Sequence, residues 1–267
     1  MMNRYQRLIF LLKMSSLFLP SVVFSSFCRC QPKDYQDFRL YVAPQVARVK
    51  LRIEKFSVFR GVMEGGSINF EYRPFCNFYA GAFAEWMMGD CSSAMGMSRY
   101  LHDLDGQVRG GYSFPMWNYY NLTFTPFFGL GYIEMVHHIR PDASVGSFKF
   151  NYGNYYLPFG VIIDFKLTKH FAFGFLAEKR KTINQRLRTP YIQGARFALD
   201  NAWGYLLEVP FMLRFGQKAK FELSLIPYLK REVDGSLNAK LPNESILTMP
   251  SQDYRFWGLR LGFGARF

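Results

Sequence analysis

Residues 254–267, YRFWGLRLGFGARF, alternate between two kinds of side chain at every second position. One set is apolar and mostly bulky: Trp257, Leu259, Leu261, Phe263, Ala265 and Phe267. The other set combines glycine with arginine: Gly258, Arg260, Gly262, Gly264 and Arg266. A period of two places alternate side chains on opposite faces of a β-strand. The stretch therefore predicts a strand whose apolar face meets either a protein core or lipid.

The composition favours strands over membrane helices. Aromatic residues make up 19% of the 267 residues, with 29 Phe and 17 Tyr, yet the mean hydropathy is only −0.07. Beyond the N-terminal segment, the sequence contains no uninterrupted apolar run of about 18 residues, which a membrane helix requires. Strands that average an apolar and a polar face account for both observations.

The alternation recurs from Phe38 onward and predicts ten strands. These begin near residues 39, 61, 78, 103, 122, 150, 171, 203, 221 and 254. The predicted connections alternate between short turns and longer segments, the longer ones near 50–60, 89–102, 136–149, 181–202 and 234–253. A soluble β-sandwich is the alternative, but it has no reason to alternate loop lengths in this way. We therefore predict an all-β fold for residues 38–267: one closed antiparallel transmembrane β-barrel of about ten strands (8–12), with short periplasmic turns and longer external loops.

Three segments carry a resemblance to known proteins: 155–175 (YYLPFGVIIDFKLTKHFAFGF), 204–216 (GYLLEVPFMLRFG) and 258–267 (GLRLGFGARF). They resemble small bacterial outer-membrane β-barrels of the OmpA-transmembrane-domain and OmpW-like type. The aromatic last residue also resembles the C-terminal insertion signal of such barrels, which would be formed by Phe263 and Phe267. The resemblance implies localisation in the bacterial outer membrane, contact with lipid and lipopolysaccharide, and insertion by the barrel-assembly machinery. It implies little about function, because such barrels serve many roles.

The N-terminal region is typical of a secretory signal. Residues 1–27 combine Arg4 and Arg7 with a mostly apolar run, and we expect this segment to be cleaved. An uncleaved anchor helix and a lipoprotein linked through Cys28 are weaker alternatives. Residues 28–37 would form a short periplasmic segment, where Cys28, Cys30 or Cys76 could form a disulfide bond within the chain or to another envelope protein.

Charged residues at the predicted inward positions suggest an ionic network in the lumen. These are Glu71, Glu85, Asp105, Arg109, Asp164, Lys166, Glu178, Arg180, Glu208, Arg214, Glu222, Lys230 and Arg260. Isolated buried charges are costly, so residues of opposite sign should pair across a narrow barrel. A charged, solute-selecting pore lining is the alternative. Because open channels usually need about 16 strands, we expect a plugged or very narrow barrel.

The net charge of +13 points to anionic partners, and for an exported chain nucleic acid is not expected among them. Basic residues concentrate in two predicted external loops and form our candidate anion-binding set: Arg48, Lys50, Arg52, Lys181, Arg186 and Arg188. They could bind lipopolysaccharide phosphates or an acidic glycan on another cell. Ordinary solubilising charge on exposed loops is the alternative.

A catalytic role has little support in the sequence. His137 and His138 are the candidates, near Asp103, Asp105 and Glu134, but we expect the two histidines to be solvated rim residues. A short turn between the fourth and fifth strands would place Asp103 opposite about Tyr132 and His137 opposite about Ser98. The Asp-x-His arrangement of the omptin proteases is absent, and so is a His-x-Ser pair like that of the lipid A deacylase. No recognised metal-ligand spacing occurs, so we predict neither a cofactor nor a metal.

The sequence therefore predicts an integral outer-membrane barrel with a structural or narrow, porin-like small-solute role, and not an enzyme. A surface adhesin that uses the basic external residues is the alternative. An outer-membrane protease or lipid A-modifying enzyme is a more distant third possibility.

Overall fold

The computed structural model describes residues 38–54, 57–116, 122–140, 148–188, 196–199, 202–240 and 246–267. The predicted signal segment 1–27 and the segment 28–37 lie outside the described residues. Among the residues that are described, no helix is long and apolar enough to cross a membrane. Within these ranges, fourteen strands account for nearly all of the regular structure, and a short 3₁₀ turn lies at Gln217–Ala219.

The strands follow one another in antiparallel order around a closed wall. Their bounds are β1 (Phe38–Ile53), β2 (Ser57–Tyr72), β3 (Asn77–Ser93), β4 (Ser98–Pro115), β5 (Leu122–Ile139), β6 (Phe148–Lys166), β7 (Phe171–Arg188), β8 (Arg196–Leu199), β9 (Trp203–Glu208), β10 (Phe211–Phe215), β11 (Phe221–Asp234), β12 (Leu237–Lys240), β13 (Ile246–Met249) and β14 (Gln252–Arg266). β14 pairs with both β11 and β1, which closes the sheet. The predicted closed antiparallel barrel of about ten strands is confirmed, with β12 and β13 as a separate hairpin.

The eighth strand of the barrel is divided into two segments, β9 and β10, although the sequence predicts one continuous strand over 203–215. β9 and β10 both bridge β7 and β11, and Val209 and Pro210 separate them. Pro210 has no N–H to donate to the ladder, but its carbonyl accepts from the Gly174 N–H at 2.8 Å. The Val209 N–H donates to the Pro227 carbonyl at 3.1 Å, so the wall stays closed across the break.

A belt of exposed apolar side chains surrounds the half of the barrel nearest Phe38 and Phe267. We call it the apolar belt; it includes Phe38, Val42, Ile68, Phe78, Trp86, Val108, Phe128, Leu157, Phe175, Leu213, Leu225 and Phe263. The two predicted insertion-signal residues lie on this outer face, with Phe263 52% and Phe267 66% exposed. An apolar outer surface over a polar interior is the arrangement expected for a barrel in lipid.

The strands continue well beyond the apolar belt. β1 has 16 residues and β6 has 19, whereas a strand crosses a bilayer with about 9–11 residues. Much of the predicted external segments 50–60 and 89–102 is therefore strand: only 54–56 separate β1 from β2, and only 94–97 separate β3 from β4. We call the parts of the strands that lie beyond the apolar belt the outer extension. The alternation persists there, but the faces are exchanged: basic side chains point outward and apolar side chains point inward.

Candidate functional site

The lumen contains a connected set of buried charges, and its centre is built around two cations. Lys230 Nζ on β11 donates to Glu85 at 2.7 Å and to Asp103 at 3.0 Å. Arg260 on β14 donates to Glu85 at 2.8 Å and also to Glu208. Both cations are 1% exposed, so these charges meet no bulk water. Glu85 therefore joins two strands that follow it by more than 140 residues in sequence.

A third cation extends the central network across the barrel. Arg180 on β7 donates to Asp105 at 2.6 Å, to Glu178 at 2.7 Å and to Glu232 at 2.8 Å. Arg109 reaches the second oxygen of Glu178 at 2.8 Å. Side chains in the lumen thus tie β4, β7 and β11 together, in addition to the backbone ladders of these strands.

The periplasmic end of the lumen has its own ionic cluster. Arg73, in the turn between β2 and β3, pairs with Glu71 and Asp164. Burial alone would lower the pKa of the Arg73 guanidinium, but the charges of Asp164 and Glu71 hold that pKa well above its ordinary value. Glu222 binds Arg39 and accepts from Arg214 at 3.2 Å. A cavity of about 20 Å³ remains beside this cluster, which is room for about one water molecule.

All of the predicted lumen residues except Lys166 take part in the contacts described above, and Lys166 is half-buried at the end of β6. Sequence reasoning missed Arg39, Arg73, Asp103 and Glu232 as members. Arg39 and Glu232 share the parity of inward residues on their strands, which could have identified them. Arg73 lies in a turn, where a period-two pattern gives no signal.

Aromatic rings fill the remaining space beside the cations, and glycines on the facing strands make room for them. The Tyr228 ring lies 4.3 Å from the Arg260 guanidinium carbon, measured to the ring centroid. A Cβ on Gly258 would lie 2.3 Å from Tyr228 Cζ, and one on Gly131 would lie 2.2 Å from Tyr156 Cζ. The Tyr156 ring brings its hydroxyl to Asp105, donating at 2.5 Å. Each glycine is thus required by a specific ring.

The outer extension closes the lumen with an apolar core. Its inward side chains are almost fully buried: Val49, Leu51, Phe59, Met63, Met87, Leu101, Met135, Leu187, Leu206 and Phe256. Cys91 belongs to this core and is a free, buried thiol. A charged network and an apolar core therefore occupy successive levels of the lumen.

His137 lies inside this extension, and the expectation that it is a solvated rim residue is wrong. Its side chain is 0% exposed, and its Nε2 is 2.8 Å from the hydroxyl of Tyr254. Tyr254 donates in turn to Gln252 at 2.6 Å. Asp103 instead pairs with Lys230, so His137 and Asp103 do not form a hydrogen-bonded pair.

The register between β4 and β5 differs from the predicted one by three residues. We expected Asp103 to face about Tyr132, but Asp103 faces Met135 and Leu101 faces His137. The reason is that the connection is centred later in the sequence, since Pro115 pairs with Thr123. In the described part of the chain, no group of three His, Cys, Asp or Glu side chains is placed to hold a metal ion.

The six predicted anion-binding residues do not lie in loops. Arg48, Lys50 and Arg52 belong to β1, and Lys181, Arg186 and Arg188 belong to β7. They point outward from the extension of the wall, and all are exposed except Lys50, which is half-buried. The physical reason is the apolar interior of the extension, which keeps these segments paired as strands where charge density alone suggested loops.

Of the three cysteines that were predicted to form a disulfide bond, the structure describes Cys76. Cys76 lies in the β2–β3 turn, with its Sγ 4.0 Å from the Tyr112 hydroxyl. Cys28 and Cys30 lie outside the described residues, so a bond between either of them and Cys76 stays a prediction.

Fold and lumen together are those of a bacterial outer-membrane β-barrel. The structure is similar to the outer-membrane protease OmpT of Escherichia coli, with a TM-score of 0.50 and 12% sequence identity over 86% of this chain and 96% of that one. It also matches the translocator domain of the autotransporter NalP of Neisseria meningitidis, with a TM-score of 0.47 and 10% identity over 96% of both chains. No family model and no curated protein matches the sequence. At these identities the likeness concerns the fold alone.

Proposed function

We propose that this protein is a structural, non-conducting β-barrel that resides in the bacterial outer membrane. The observation that carries the proposal is the occupied lumen, in which Lys230, Arg260 and Arg180 are each 1% exposed and paired with several carboxylates. A conducting path would have to separate these pairs, and breaking a buried pair leaves an uncompensated charge. The apolar core of the outer extension is a second barrier to ions and polar solutes.

The apolar belt supports the membrane placement. Because its outward side chains are large and exposed, water would be an unfavourable surrounding for them. Insertion by the barrel-assembly machinery through Phe263 and Phe267, export by a cleaved signal, and a cross-link through Cys28, Cys30 or Cys76 belong to the same proposal. A closer relation to the OmpA-transmembrane-domain and OmpW-like barrels also stays a proposal, because the compared structures are of other types.

Liposome swelling tests the closed lumen. Purified protein is reconstituted into liposomes and diluted into isotonic solutions of glycine, arabinose or glucose. We expect swelling rates equal to those of protein-free liposomes for all three solutes. Uptake that falls with increasing solute size would support the narrow, porin-like channel instead. Heat-modifiable migration of the reconstituted protein on a gel confirms that folded barrel is present in the assay.

The alternative function is surface binding through the outer extension, and the outward cations Arg48, Arg52, Lys181 and Arg188 favour it. An adhesin of this kind should bind a sulfated glycan in a salt-sensitive manner, because exposed charges are screened as ionic strength rises. We propose no catalytic activity. Turnover of a peptide or of lipid A that disappears in the double variant His137→Ala, His138→Ala would contradict this part of the proposal.

A further inference from the structure

The end of β11 places two buried carboxyl groups in the outer extension. Glu232 and Asp234 are the last two inward residues of this strand, and they lie opposite Tyr254 and Gln252 of β14. Glu232 is only 9% and Asp234 only 4% exposed. A buried carboxylate is stable only if a cation or several hydrogen-bond donors compensate for its lost hydration. The surroundings of these two residues supply too little of either.

Glu232 shares its cation with other carboxylates. Its Oε1 accepts from Arg180 at 2.8 Å, but the same guanidinium also binds Asp105 and Glu178. Among the described residues, the connected network of ion pairs contains four cations and six carboxylates: Arg109, Arg180, Lys230 and Arg260, with Glu85, Asp103, Asp105, Glu178, Glu208 and Glu232. If every group were ionised, negative charge would exceed positive charge in this network by two.

Asp234 is bound by uncharged groups. Gln185 on β7 donates to its Oδ1, while its Oδ2 accepts no hydrogen bond from the described part of the chain. The other uncharged groups that face it are Asn154 and Tyr152 on β6 and Tyr254 on β14. A carboxylate at this position would therefore be a buried charge without a cation beside it.

The remaining charged and titratable groups at this end of the lumen do not correct the imbalance. Asp103 on β4 repels a negative charge on both Glu232 and Asp234. Arg99 on β4 stacks on an aromatic ring and makes no ion pair within the described ranges. His137 on β5 stays neutral, because burial and the charge of Arg99 lower its pKa to about 3. Burial raises the pKa of Glu232 to about 8 and the pKa of Asp234 to about 7.

We propose that the outer end of the lumen is a proton-binding site, in which Glu232 and Asp234 hold two protons at neutral pH and destabilise the barrel when they release them at alkaline pH. The protons are taken up from solvent on folding. As neutral carboxyl groups both side chains fit the apolar surroundings, whereas as carboxylates they require water. Gln185 connects the site to the chain beyond β11, because its Oε1 accepts from the Gly235 N–H at 3.0 Å. Water drawn to an ionised Asp234 would separate β11 from β7 at this point.

Proton linkage gives the sign of the pH dependence. A carboxyl group whose pKa is higher in the folded than in the unfolded state stabilises the fold at low pH, and this stability is lost as pH rises through the folded-state pKa. The loss begins near about pH 4, the ordinary pKa of a carboxyl group, and ends near 7 for Asp234 and near 8 for Glu232. His137 acts in the opposite direction below about pH 6.5, because it gives up a proton on folding. The comparison must therefore be between proteins that all contain His137.

Urea unfolding in an uncharged detergent, between about pH 5 and pH 8, tests the site. The test variant combines Glu232→Gln and Asp234→Asn, which keep the shape of the protonated side chains but cannot release a proton. The control variant combines Glu64→Gln and Asp90→Asn, which remove the same charge from two exposed, outward positions. Tryptophan fluorescence reports unfolding, and heat-modifiable migration shows that each protein is folded at the start.

Each extra proton bound by the folded state raises the unfolding constant about tenfold per pH unit. Between about pH 5 and pH 7, we expect the ratio of the wild-type to the test-variant unfolding constant to rise about tenfold to a hundredfold per pH unit. The control variant should follow the wild type.

Three results would overturn the proposal. The first is an equal pH dependence of the test variant and the wild type. The second is a test variant that fails to fold at about pH 8, where we expect it to be the more stable protein. The third is stabilisation of the wild type, but not of the test variant, by millimolar Ca²⁺ at that pH, which would indicate a metal site instead. The swelling assay tests the closed lumen independently.

Discussion

At the scale of single residues, Glu85 is the junction of the lumen network. It is 2% exposed and accepts from both Lys230 and Arg260. Glu85→Ala leaves two buried cations without a shared partner, and we expect a loss of about 3–5 kcal/mol in the free energy of unfolding. Urea titration in detergent, followed by tryptophan fluorescence, gives this free energy.

An exposed ion pair provides the control for Glu85. Asp90 pairs with Arg140 at 2.8 Å, but the two side chains are 57% and 55% exposed. Asp90→Asn should therefore cost less than about 1 kcal/mol. If the two substitutions had the same small effect, the lumen charges would not be acting as a buried network.

Gly258 tests the packing of rings against cations. A Cβ at Gly258 meets the Tyr228 ring that stacks on Arg260, so Gly258→Ala must displace the ring or the strand. We expect a loss of about 1–3 kcal/mol, the usual cost of overpacking. Gly110→Ala is the matched change on the outer face, where a Cβ meets nothing within 4 Å. A Gly258→Ala protein as stable as Gly110→Ala would show that the ring has free space.

At the scale of elements, the strands are longer than a bilayer requires because their outer ends bury an apolar core. β4 offers a comparison of two leucines on opposite faces: Leu101 is 1% and Leu104 is 43% exposed. Leu101→Ala should cost about 2–5 kcal/mol, because it opens a cavity in the core. Leu104→Ala should cost distinctly less, since lipid or detergent can fill the space. Both values come from the same urea titration, and a larger loss for Leu104→Ala would contradict the assignment of faces.

The sequence predicted the elements better than their ends. Period-two alternation identified which side of β14 faces inward, so Arg260 and Phe263 were assigned to the correct faces. It did not locate the strand ends near Arg52 and His137, because beyond the apolar belt the outward face becomes polar and the inward face apolar. The charged residues in these parts of the strands suggested loops, although the alternation continues through them.

Long-range contacts lay beyond sequence reasoning for a geometric reason. The pairing of Lys230 with Glu85 depends on closure of the whole barrel, which brings positions 145 residues apart to the same level. Alternation indicates which face of the sheet each side chain lies on, but not its position along the barrel axis. An error of three residues in one register, as between β4 and β5, is enough to change which charges meet.

At the scale of the whole molecule, two kinds of side chain, charged and apolar, fill the lumen at successive levels along the barrel axis. The charged network lies mainly within the apolar belt, and the apolar core lies in the outer extension. The first ties strands together by paired charges, and the second excludes water. The outer wall remains available for contacts with lipid.

Single-channel recording in a planar lipid bilayer tests the closed lumen most directly. Purified, heat-modifiable protein is added to the bilayer in 1 M KCl, and insertion is verified by an antibody or protease assay on the recovered membrane. We predict no stepwise conductance from the wild-type protein at moderate voltage, because the ionic network and the apolar core both block the path. Reproducible conductance steps that scale with the amount of inserted protein would contradict the account.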